Sequence, residues 1–138
     1  MTQENKELLL KDLCTRLPYE VKVQYKDDIF TIDYISGIYE EIKLDTPDRY
    51  TIDISEVKPY LFPLSSMTSE QLFEVQEILG KNEIEIGDGF LHIIDSDRNT
   101  ITYLEILALL EWFYKNHFDV YGLIPMGLAI DATNLKIY

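Results

Sequence analysis

Between residues 21 and 54 apolar and polar side chains alternate with a period of two, and turn residues break the alternation three times. Val21, Val23 and Tyr25 alternate with Lys22, Gln24 and Lys26; Phe30, Ile32 and Tyr34 alternate with Thr31 and Asp33. Ile38, Ile42 and Leu44 stand opposite Tyr39, Glu41 and Lys43, and Tyr50, Ile52 and Ile54 opposite Thr51 and Asp53. The interruptions are Asp27-Asp28, Ser36-Gly37 and Asp45-Thr46-Pro47-Asp48. Alternation of this kind places one face of each run in a core and the other in water, which predicts four antiparallel strands joined as hairpins. The polar face carries both signs of charge, so cross-strand pairs offset part of the repulsion.

Helical spacing flanks these runs. Residues 2–15 read as an amphipathic helix with Leu9, Leu10, Leu13, Cys14 and Leu17 on or near one face, Thr2 or Asn5 as its cap, and Pro18 closing it. Residues 58–64 contain Pro59 and Pro63, which remove donors and fix φ; the expectation is an extended crossing segment rather than a central strand. Thr68 with Gln71 forms a capping box ahead of Leu72, Val75, Gln76 and Leu79, and Gly80 supplies the stop. Residues 83–86 and 90–94 flank Gly87-Asp88-Gly89 as a short hairpin. Thr102 with Glu105 opens a third helix carrying Leu104, Leu107, Ala108, Leu110 and Phe113. It is apolar around much of its circumference, which predicts that it is the most buried of the three. The tail from Gly122 reads as irregular, with a closing strand at residues 135–138. Helices segregated from antiparallel strands indicate an α+β class: a β-meander of about four strands plus a short hairpin, packed with three helices as a single domain over residues 1–138.

Charge narrows the function classes. The chain has 25 Asp and Glu against 12 Lys and Arg, a formal net charge of −13. Nucleic acid and anionic membranes are bound through clustered Lys and Arg, so neither is an expected direct partner. Residues 69–138 carry a net −8 and residues 1–68 a net −5. Ten Tyr and six Phe suit sheet propensity first and half-wet interface surface second. Cys14 is the sole cysteine, so neither an internal disulfide nor a thiolate metal cluster is open to one chain. It lies on the apolar face near the end of the first helix, where a buried structural thiol is expected. The start, MTQENKELLLKDL, lacks the basic and continuous apolar segments of a signal peptide, and no apolar run approaches the ~20 residues of a membrane span. A cytoplasmic setting is the expectation.

Candidate chemistry is sparse. Asp95-Ser96-Asp97-Arg98-Asn99 opens like a calcium loop, but Thr100 stands where the sharp turn needs glycine, and Glu105 comes one residue early for the bidentate position. Asp95 and Asp97 are therefore weak metal candidates beside a strand-to-helix turn rich in side-chain caps. His117 and Asp119 follow the third helix; a His there suits the helix dipole and can bond the last carbonyls. No HExxH, GxSxG, phosphate loop or GxGxxG is present.

Three segments carry a resemblance. They are residues 11–19 (KDLCTRLPY), residues 58–68 (KPYLFPLSSMT), and NHFD at 116–119 with GLIPMGLA at 122–129. This pattern resembles a family of small uncharacterised proteins of gut Bacteroidales bacteria and their phages and prophages. The matching segments bracket nearly the whole chain, and residues 27–53 depart from the pattern. The resemblance implies a cytoplasmic setting and a link to mobile elements, with no activity, cofactor or catalytic residue to carry over. Its segments read as joints of the fold, or as one binding surface should they meet in space.

The leading expectation is an acidic, non-enzymatic interaction or accessory module, of phage or prophage origin, without cofactor. Its expected partner is a protein, and one with a basic patch suits the charge. The candidate surface is His117, Asp119, Tyr121, Tyr60 and Phe62. One alternative is a metal-dependent hydrolase built on Asp95, Asp97, His117 and Asp119, which requires those groups to converge. A second is an acidic mimic of nucleic acid. A third is a small-ligand binder with Tyr and Phe lining a pocket between sheet and helices.

Overall fold

A computed structural model describes residues 1–48, 50–80, 83–87, 90–95 and 102–138. Helix α1 (Gln3–Arg16) leads through a 3-10 turn at Leu17–Tyr19 into strands β1 (Lys22–Tyr25), β2 (Asp28–Ser36), β3 (Glu41–Leu44) and β4 (Ile52–Asp53). After a second 3-10 turn come β5 (Val57–Leu61), helix α2 (Ser69–Ile78), the hairpin β6 (Glu83–Gly87) and β7 (Phe90–Asp95), helix α3 (Tyr103–Lys115) and the short β8 (Ile130–Asp131). The class is α+β, with one six-stranded sheet in the order β4-β3-β2-β1-β5-β8 and a separate two-stranded sheet, β6-β7.

The meander follows the alternation in order and pairing, but Tyr34, Ile38 and Tyr50 are exposed rather than inward: the register of β2 on β3 shifts between Ile32 and Tyr34, Ile38 precedes β3, and Tyr50 precedes β4. β1 to β4 pair antiparallel in sequence order. The first turn sits one residue earlier than the acidic pair suggests: Tyr25 pairs with Asp28, and Lys26 takes the left-handed backbone at φ 55°. Thr2 accepts the Asn5 amide at 3.2 Å as the cap of α1, and Thr68 and Gln71 form the reciprocal capping box of α2.

Residues 57–61 overturn one expectation. They form an interior strand, antiparallel to β1 on one side and parallel to β8 on the other. Pro59 is tolerated because β8 is two residues long and pairs only with Tyr60 and Leu61, so the proline lies just outside the stretch that β8 covers. The closing strand is likewise 130–131 rather than 135–138. The turn residues Asp88 and Gly89 of the expected hairpin lie outside the described residues.

Two apolar clusters form. The larger joins Leu9 and Leu13 of α1, and Val21 just before β1, to Val23, Ile32, Ile42, Leu44, Val57 and Leu61 of the sheet. The smaller joins Val75 and Leu79 to Phe113 and Phe118, with Phe62, Leu72 and Trp112 packed on it. Trp112 Nε1 also donates to Glu74 at 2.8 Å, tying α3 to α2. Two burial expectations fail. Cys14 is exposed, because the inward face of α1 is Leu9, Asp12, Leu13 and Arg16, and Cys14 falls off it. Helix α3 is not the most buried: only Phe113 and Tyr114 are buried along it, while Tyr103, Leu104, Ile106, Leu107 and Leu110 face solvent. The smaller cluster covers one side of α3, and among the described residues no second layer reaches the other.

Leu13 is fully buried between helix and sheet. Leu13→Ala is expected to destabilise the protein by ~2–5 kcal/mol, read as a lower midpoint in urea with an unchanged slope.

Candidate functional site

The end of α3 is closed by backbone geometry. The Asn116 side chain donates to the Trp112 carbonyl at 2.9 Å, and His117 takes the left-handed conformation at φ 63°. The chain then runs beside the end of β5. Phe62 N donates to the His117 carbonyl at 2.9 Å, and Asp119 N donates to the Phe62 carbonyl at 2.8 Å. Asp119 next turns the chain: its carboxylate accepts the amides of Leu123 at 2.8 Å and Ile124 at 2.9 Å. This is the behaviour of a carboxylate that organises a loop.

Helix α1 reaches the same place from the other side. Arg16 and Asp12, one turn apart, form a two-pronged ion pair at 2.7 and 3.0 Å with both side chains fully buried. Arg16 Nη2 also donates to the Phe118 carbonyl at 2.6 Å, and the guanidinium lies 4.9 Å from the Tyr114 ring centre. Its Nη1 has no hydrogen-bond partner among the described residues. Burial pushes the Asp12 carboxyl above its ordinary value, Arg16 pulls it back, and the like charge of Asp119 adds to the rise.

Tyr138 completes the junction. Its hydroxyl donates to the Tyr60 carbonyl at 2.8 Å and accepts the Lys22 amide at 3.1 Å. Its ring stacks on His117, 3.7 Å between centroids and 11° between planes, and packs at 5.9 Å on Phe62. Burial raises the Tyr138 hydroxyl to about 12. Burial also drives His117 down to about 4, with the charges of Arg16 and Lys22 adding to the effect. The imidazole is thus neutral near pH 7, and its Nδ1 has no hydrogen-bond partner among the described residues. The helix end is served by the His117 backbone rather than by an imidazolium on the helix dipole.

The five surface candidates therefore divide. Tyr60, Phe62 and His117 come together around Tyr138, and Asp119 adjoins them. The Tyr60 ring and Asp119 are buried. Tyr121 stands apart, with its hydroxyl beside that of Tyr114 and Lys11 Nζ 5.8 Å from its ring centre. Burial and the Tyr121 hydroxyl raise the Tyr114 hydroxyl far above its usual value. The three resembling segments do meet in space, through Arg16, Phe62 and residues 117–124. Beside them lies a cleft of about 300 Å³, lined by Pro63, Leu64, Asp119, Ile124 and Pro125. Its walls are largely apolar and its carboxylate is already engaged, which leaves the Ser65 hydroxyl as the lining's other polar side chain.

Asp95 ends β7, and Asp97, with the rest of the calcium-like loop, lies outside the described residues. Among the described residues no three His, Cys, Asp or Glu side chains converge as a metal set. Among those residues, too, no helix is long and apolar enough to cross a membrane. Sequence reasoning missed Asp12, Arg16 and Tyr138. An acid and a base four residues apart on a helix look like a surface pair, and only their alignment with Leu9 and Leu13 hinted at burial. No protein-family model matches the chain, and neither a curated protein nor a solved structure matches it.

Two outcomes are expected. Arg16→Ala leaves a buried carboxylate without its partner and should destabilise the protein by ~3–5 kcal/mol, whereas the double change Asp12→Leu with Arg16→Met should recover much of that loss in urea unfolding. Between about pH 6.5 and pH 4 the unfolded chain takes up a proton at His117 that the folded chain resists. Stability through this group is therefore complete above that window and falls as the pH drops across it. His117→Asn keeps a residue that accepts the left-handed backbone and should flatten this part of the stability-against-pH curve.

Proposed function

We propose that this chain is a non-enzymatic interaction module whose docking face is the outer side of α3, and that its partner presents a basic amphipathic helix. The supporting observation is the row of Tyr103, Leu104, Ile106, Leu107 and Leu110, exposed by 38 to 74%. Tyr103, Ile106, Leu107 and Leu110 repeat at the i, i+3, i+4, i+7 spacing of a helix that lies against another helix. A contiguous apolar stripe of this kind on a charged protein marks an interaction site more often than it marks ordinary surface. The opposite side of the same helix, with Leu109, Trp112 and Phe113, already packs on the α2 cluster.

Charge selects among occupants. Helices α2 and α3 together carry Glu70, Glu74, Glu77, Glu105 and Glu111 against Lys115 alone. Glu111 follows the stripe, one turn after Leu107. A second copy would bring another −13 chain to the face, which self-repulsion disfavours. A helix with Leu or Ile on one side and Lys or Arg flanking it matches both the apolar stripe and the field. The resemblance to proteins of gut Bacteroidales and their phages supports a cytoplasmic accessory role for such a module.

The reading is tested with an 18-residue amphipathic peptide of Leu and Lys, followed through the fluorescence of Trp112, the chain's single tryptophan. Saturable binding is expected, weakened at least about tenfold by raising the salt severalfold and by Leu107→Asp with Leu110→Asp in a variant whose circular dichroism is unchanged. Equal binding of the matching Leu and Glu peptide, or indifference to the double substitution, overturns the reading. So does self-association abolished by Leu110→Asp, which would give the face to a second copy.

A further inference from the structure

We propose that the aromatic pocket at the β1–β2 turn end of the sheet binds a small molecule bearing a trimethylammonium head, choline in class. The pocket is about 90 Å³ and is walled by Tyr25, Phe30 and Tyr50, with Leu44 and Ile52 as apolar lining and Asp48 among the lining residues. That volume is about three times the ~30 Å³ share of one water in the liquid and below the ~150 Å³ of a cavity that holds benzene, so it suits a head group of roughly five heavy atoms.

The walls are held in place by the sheet. Tyr25 pairs with Asp28, so Phe30 is its diagonal neighbour on the same face. Their ring centres are 6.3 Å apart and the planes tilt by 57°, which makes two sides of an open box. The opposite wall is pinned by Asp45 N on the Thr31 carbonyl at 2.9 Å and Thr46 N on the Leu44 carbonyl at 2.8 Å. Ile52 is fixed by its register with Ile42. Tyr50 is 59% exposed and supplies the third ring at the mouth.

Chemistry narrows the occupant. Aromatic faces attract a cation, most strongly one that is weakly hydrated. A trimethylammonium group has no N–H to satisfy, and its methyls suit Leu44 and Ile52; a primary ammonium could bond Asp48 and Thr46 but is strongly hydrated and loses more on leaving water for the aromatic walls. Asp48 adds a favourable charge and disfavours anions. The Tyr25 ring already engages a cation, since Lys26 Nζ lies 5.1 Å from its centre. Lys26 does not line the pocket.

The test is a methyl NMR titration of the full chain, reading Leu44 and Ile52, with choline and with its neutral isostere 3,3-dimethylbutan-1-ol. Choline is expected to shift both residues and to bind at least about tenfold more tightly than the alcohol. Tyr50→Ala and Asp48→Asn, both at exposed positions, should each weaken choline at least about threefold, while Tyr50→Phe retains binding. Phosphocholine should bind more weakly than choline because its phosphate meets Asp48; binding at least as tight would make this a lipid-headgroup site and overturn the proposal. A trimethyllysine peptide much tighter than choline would assign the pocket to a protein tail and overturn it too. Equal shifts with alcohol and choline, or no shifts at all, also end it.

Discussion

Arg16 is the residue on which the two halves of the core depend. It is fully buried, yet it carries a charge that water would otherwise solvate. Asp12 neutralises it from the same helix, and the Phe118 carbonyl takes one of its remaining donors. Leu13 beside it packs into the sheet cluster, while Phe118 packs into the cluster of α2 and α3. A buried ion pair adds little net stability compared with well-packed apolar side chains. What it adds is geometry: a guanidinium held by the Asp12 carboxylate and the Phe118 carbonyl fits one position of the 117–119 strap against α1.

The remaining joints follow from that position. With Phe118 held, residues 117–119 pair with Phe62, Asp119 turns the chain into the 123–124 amides, and Tyr138 returns to close over His117, Phe62 and the edge of β5. The Asp12 and Asp119 carboxylates and the Tyr138 hydroxyl are all used internally. That is why the residues that look most chemical in the sequence, His117 and Asp119, serve the fold: one is a neutral stacked ring and the other a buried acceptor. The surfaces proposed for recognition lie elsewhere, on the outer side of α3 and in the aromatic pocket of the meander.

How much of this could be read from residues varies with the range of the interaction. The meander was legible because Val23, Ile32, Ile42 and Ile52 follow a period of two, and each is buried. The caps at Thr2, Thr68 and Thr102 were legible because a cap needs only three neighbouring residues. Cys14 was misplaced because helical spacing tolerates two adjacent faces, and the choice fell to the ion pair. Residues 57–61 were misjudged because two prolines argue against an interior strand in general, whereas the partner beyond Pro59 is only two residues long.

The order of elements, the α+β class and the acidity that sets the protein's field all reside in the sequence, since each depends on side chains a few positions apart or on a simple sum of charge. Which side of α3 is covered, which charged residues are taken inside and which aromatic rings form a box were decided only when distant segments met. Periodicity states that a face is apolar; it cannot state whether the rest of the chain supplies a layer to bury it.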